Sequence, residues 1–170
     1  MGVDTMEERV QIQKGPAGIF AGLAGGIVFG ILMQALTTTT EAGTRVPLMT
    51  LVANIVGSDS VGVGWIYHLF NSAVIGGLFG WILGGRVGGY GSAVGWGAGY
   101  GFAWWILGAL ILMPVLLGMP AFAPLQMPMM RPVALTSLIG HLMFGVLLGA
   151  AFVPFRGTAG HAPLGSARHA

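Results

Sequence analysis

Cysteine is absent from the 170-residue sequence, which excludes disulfide frameworks, thiolate metal sites and thiol catalysis. Formal charge is nearly as scarce. Asp, Glu, Lys and Arg make up 7% of the chain, against about 25% in an ordinary soluble domain. So few charges cannot cover a water-facing surface. With 55% hydrophobic residues and a mean hydropathy of +0.82, the chain belongs in a bilayer. The net charge of +2 is too small and too scattered for a nucleic-acid footprint, so no nucleic-acid partner is expected. Glycine, by contrast, is abundant at 31 residues, and its spacing is the main clue to how the helices pack.

Four apolar stretches are long enough to span about 30 Å of hydrocarbon at about 1.5 Å per residue. They fall at residues 16–36, 61–83, 93–117 and 132–153. The expected fold is therefore all-α: a four-helix transmembrane bundle occupying residues 16–153, between cytoplasmic tails at 1–15 and 154–170. Pro16 suits a first helical turn, and Gly18, Gly22, Gly26 and Gly30 form a smooth stripe along which another backbone can approach. That stripe serves either packing within the chain or a seam between copies. Residues 46–56, interrupted by Pro47 and Asn54, are too short to span and read as an interfacial or re-entrant segment. Gly57-Ser58-Asp59-Ser60 is a turn cluster suited to capping the second span. The glycine-rich link at 84–92 is so short that it predicts spans two and three as antiparallel neighbours. In span three, Gly95 with Gly99 and Gly97 with Gly101 make two small-residue stripes, which predict a central helix touching two partners. Trp104 and Trp105 lie near its middle rather than at an interface. Pro120, Pro124, Pro128 and Pro132 recur every four residues and predict an extended surface segment before the last helix.

The second span opens Gly64-Trp65-Ile66-Tyr67-His68-Leu69, with Ser72 and Gly76 following at helical spacing, so His68, Ser72 and Gly76 share one face. The fourth echoes it with His141-Leu142, Gly145 and Gly149. Alternating spans put Arg9, Lys14, Arg86, Arg156 and Arg168 on one side and Arg45 and Arg131 on the other, which places both termini in the cytoplasm by the positive-inside rule. Spans two and four then run parallel, with His68 and His141 both about 10 to 14 Å below the outer boundary. Each half is a glycine-bearing span, an outer loop and a span headed by His-Leu, the outline of a two-fold repeat of helical hairpins. In these motifs, Gly64, Trp65, His68 and Leu69, then His141, Leu142, Gly145 and Gly149, the sequence resembles a group of small four-span prokaryotic membrane proteins of uncharacterised function. The resemblance covers most of residues 16–153 and implies a topology in the cytoplasmic (inner) membrane, with no activity attached.

Ionisable side chains within a membrane are functional candidates because they are costly to bury. Here they are His68 and His141. No Asp or Glu lies in a span, so carboxylate proton relays, acidic cation sites and a Ser-His-Asp constellation are all missing. Catalytic residues are therefore not assigned, and an enzyme is not expected. One reading gives both histidines interhelical hydrogen bonds, in a non-catalytic scaffold or accessory subunit that docks on other membrane subunits or on itself. Another makes them the axial ligands of a b-type haem in an electron-transfer protein, with Ser72 and Gly145 leaving room for the porphyrin. A copper or small-solute carrier comes third, from Met113, Met119, Met127, Met129 and Met130 clustering in or beside the third loop. Methionine is equally an adaptable apolar filler.

Overall fold

The structure, a computed structural model, describes residues 3–40 and 43–158. Its elements in order are helix α1 (Val3–Ala35), a short antiparallel ribbon of β1 (Thr37–Thr39) and β2 (Arg45–Pro47), α2 (Leu48–Asn54) and α3 (Val61–Leu83). There follow α4 (Tyr90–Trp104), a π-helix (Trp105–Leu112), α5 (Met113–Leu116), α6 (Ala123–Gln126), a 3₁₀ turn (Pro128–Met130) and α7 (Arg131–Thr158). Four stretches are long and apolar enough to cross a membrane: Lys14–Ala35, Val61–Leu83, Tyr90–Leu116 and Pro128–Arg156. The protein is an all-α four-helix bundle with the organisation of a multi-pass membrane protein. Its outward faces carry large apolar side chains, Phe20, Ile66, Phe70 and Trp81 among them, which lipid can cover and water cannot.

The bundle is held together by backbone-to-backbone approach. A Cβ on Gly76 would collide with the main chain of Gly18 and Gly22 in α1, and one on Gly145 with that of Gly97 and Gly101 in α4. These are the seams α1/α3 and α4/α7, and α1 also packs along α7. There Gly25 lies against the Phe144 backbone and Gly140 against the Phe29 ring. Close approach lets helix surfaces gain dispersion contact that lipid tails cannot supply better, which is the force available where hydrophobic exclusion is absent. Phe29, Phe79, Phe144, Leu148 and Phe152 fill the core between the seams.

The two hairpins match position by position. Gly76 against Gly18 and Gly22 corresponds to Gly149 against Ala93 and Gly97, and Ser72 against Gly22 and Gly26 corresponds to Gly145 against Gly97 and Gly101. The repeat read from the spacing is thus a repeat of contacts.

Several expectations need correction. α1 begins at Val3 with Pro16 inside it, so Pro16 does not stand in a first helical turn. A proline within a helix forfeits one backbone hydrogen bond, and the remaining ones carry the helix through. Spans two and three are not packed neighbours, for α3 and α4 scarcely touch despite their short link. Nor is span three central: its apolar stretch is 17% buried, against 44% for that of span one. The segment before the last span is not extended. Pro124 and Pro128 occupy first-turn positions of α6 and the 3₁₀ turn, where a missing N–H costs nothing. Ser60 stands at the N-cap of α3 without a side-chain capping bond. At the far end α7 runs past Pro154 to Thr158, and the remaining tail with His161, Arg168 and His169 lies outside the described residues. Arg156 donates to the Val87 carbonyl, tying α7 to the loop between α3 and α4.

Candidate functional site

α3 and α4 make little contact with each other. The two helices are joined lower down, where the Tyr100 hydroxyl donates to the Ile75 carbonyl at 2.8 Å and the Phe79 and Tyr100 rings meet edge-on at 5.3 Å. Above that junction lies a cavity of about 370 Å³ between α1, α3, the π-helix and α7, roofed by α2 through Leu48, Leu51 and Val52. The segment 46–56, expected to be interfacial or re-entrant, is this roof. Met49 and Ala53 are fully buried, and Gly64 lets α2 lie against α3.

Both histidines line the cavity. They flank one aromatic ring: Phe29 meets His68 at 5.5 Å and His141 at 5.0 Å between centroids, both edge-on. Neither imidazole faces lipid. Their hydrogen bonds differ. His68 donates from Nε2 to the Gly26 carbonyl of α1 at 2.9 Å, and Ser72 Oγ donates to the His68 carbonyl at 2.8 Å. That imidazole fastens α3 to α1. His141 instead donates from Nδ1 to the Ser137 carbonyl of its own helix at 2.7 Å, so the expected interhelical bond is absent there. A carbonyl can only accept, which puts the hydrogen on Nδ1 and leaves Nε2 of an uncharged ring as an acceptor. That Nε2 faces Gly108 of the π-helix, near enough to lie 3.9 Å from a Cβ built there.

Trp105 explains how His141 is held. Its Nε1 donates to the Ala134 carbonyl and to Ser137 Oγ, both at 3.1 Å, so the π-helix is pinned to the turn of α7 whose carbonyl orients the imidazole. Trp104, one residue earlier, lines the cavity. The eight-residue π-helix is a feature the sequence did not announce, and such segments are concentrated at functional sites. Leu110 within it gives its carbonyl to the Phe122 N–H at 2.6 Å, so the third loop braces it. Asn71, Tyr67 and Thr136 also line the cavity, and their side chains find no hydrogen-bond partner among the described residues. Asn71 and Tyr67 are neighbours of His68 in the second span, whereas Thr136 carries no motif that would single it out.

Of the glycines singled out for packing, Gly18, Gly22, Gly26, Gly30, Gly76, Gly145 and Gly149 lie against neighbouring helices, as does Ser72, whereas a Cβ on Gly95 or Gly99 would meet nothing. The stripe that packs in span three is Gly97 and Gly101. Among the methionines of the third loop, Met113 lines the cavity with the histidines, while Met129 is 90% exposed and Met127 47%.

A bis-histidine haem would have to displace bonds and ring contacts that the two imidazoles make in this structure. Such a group needs both imidazole nitrogens aimed at one iron. Here His68 Nε2 is committed to Gly26 and the Phe29 ring stands against both imidazoles. Compared with protein-family models, curated proteins and solved structures, the chain finds no match in any of the three.

Proposed function

We propose that the protein is a non-catalytic accessory component of the membrane, a scaffold whose bundle holds a small lipophilic guest beneath α2. The observation that carries this reading is the cavity itself. It has the size of ordinary small-molecule sites, about 300 Å³ upward, and its apolar walls carry a few convergent polar groups. Among the described residues no Asp, Glu, Lys or Arg lines it, which suits neither ion passage nor acid–base turnover. Docking on a larger complex would use the uncovered side of α4, where Gly95 and Gly99 meet nothing within the chain. An orientation with cytoplasmic termini is supported by Lys14 beside Gly85 and Arg156 on Val87, which gather cations at the end opposite α2.

Native mass spectrometry of protein extracted in mild detergent tests the reading. A lipophilic adduct near one per chain is expected, lost in Gly108→Leu, whose side chain would enter the cavity without striking backbone. A chain free of adduct, or an adduct indifferent to Gly108→Leu, would refute it. A Soret band in the visible spectrum would favour the electron-transfer alternative instead.

A further inference from the structure

Resting on the guest-binding reading, we infer that the cavity selects a neutral lipophile bearing a hydroxyl group, a phenol or alcohol head on an apolar body, with that hydroxyl donating to His141 Nε2.

The head group follows from what each polar atom has left. His141 spends Nδ1 on Ser137, so its other nitrogen faces the cavity as an acceptor and needs a donor from the guest. Backbone cannot supply one there, because a helix N–H is committed within its helix and Gly108 opposite has no side chain. A hydroxyl that donates still has lone pairs to satisfy. Asn71, Tyr67 and Thr136, on α3 and α7, bring unspent donors to the same cavity. A guest offering only acceptors would leave the His141 lone pair unmet. An anionic head would find no cation among the lining residues, and a cationic head no carboxylate. An uncharged hydroxyl satisfies all of these conditions.

The body of the guest follows from the remaining walls. Leu32, Met33 and Leu36 of α1, Leu51 and Ile55 on the α2 side and Leu112 of the π-helix are apolar, which suits a hydrocarbon body.

The test compares 4-hexylphenol with hexylbenzene, which share a body and differ by the hydroxyl, added to the protein in phosphatidylcholine nanodiscs. Binding is read by saturation-transfer NMR, and the histidine nitrogens by ¹⁵N shifts. In the wild type the phenol should bind about tenfold tighter, the scale of one net hydrogen bond, and should move the His141 Nε2 resonance more than either nitrogen of His68. In His141→Leu the preference should vanish with hexylbenzene binding retained. Equal binding of both probes by the wild type, with Gly108→Leu abolishing both, would overturn the hydroxyl inference and leave the guest site standing. Binding of neither probe would overturn both. The wild-type comparison needs no variant to fold, so the inference stays exposed even if His141→Leu does not.

Discussion

The two hairpins use the same seam and diverge at the histidine. In the first, His68 reaches across to Gly26, Ser72 closes the turn below it, and Gly30 accommodates the Trp65 ring. In the second, the position equivalent to Gly30 is Trp105, which reaches the other way, from the π-helix into α7. His141 is thereby turned onto its own helix, with one nitrogen left facing the cavity. A repeated backbone framework thus fixes where an imidazole sits, while the exchange of Gly30 for Trp105 on the facing helix accompanies the change in what that imidazole bonds.

The seams themselves should be the most sensitive to substitution. Gly145→Leu drives a side chain into the Gly97 and Gly101 backbone, and we expect a loss of about 3 kcal/mol or failure to fold, read by thermal unfolding in detergent. Gly95→Leu, with nothing nearby, should change stability by no more than about 0.5 kcal/mol. Similar losses for both would mean that the stripe that packs has been misassigned. Next in size is Phe29→Ala, which removes the ring both histidines share and opens a void; about 3 kcal/mol is expected. A cost below about 1 kcal/mol on the same scale would show that the two hairpins do not depend on that ring.

Much of this was legible in the sequence because hydropathy and four-residue spacing report directly on membrane physics. The four spans, the shared face of His68, Ser72 and Gly76, and the matched hairpins all follow from it. The lack of packing between α3 and α4 does not, since a short link constrains the ends of two helices and not the contact along them. Nor could spacing choose between Gly95/Gly99 and Gly97/Gly101, which look alike until the rotation of α4 is set by Gly145 and Gly149. The π-helix has no composition signal of its own; mid-span Trp104 and Trp105, unusual at that depth, were its one visible trace.

The histidines give the finer comparison. His68→Ala breaks an interhelical bond and should cost about 1 to 2 kcal/mol. His141→Ala loses only a bond within its helix and should cost less than about 0.6 kcal/mol. A reversed order in unfolding measurements would erase the distinction between fastener and receptor. Comparably small should be the effect of Tyr100→Phe, which removes the bond from α4 to Ile75 for about 0.6 kcal/mol. Its clearer sign is easier separation of α3 and α4, measured as a longer distance between spin labels at Val74 and Leu112.

The most direct test of the central claim is the ¹⁵N spectrum of histidine-labelled protein in nanodiscs, with no ligand added. Two opposite tautomers are predicted, hydrogen on Nε2 at His68 and on Nδ1 at His141, the latter with an acceptor nitrogen open to the cavity. The same tautomer at both sites, or a hydrogen on His141 Nε2, would contradict it.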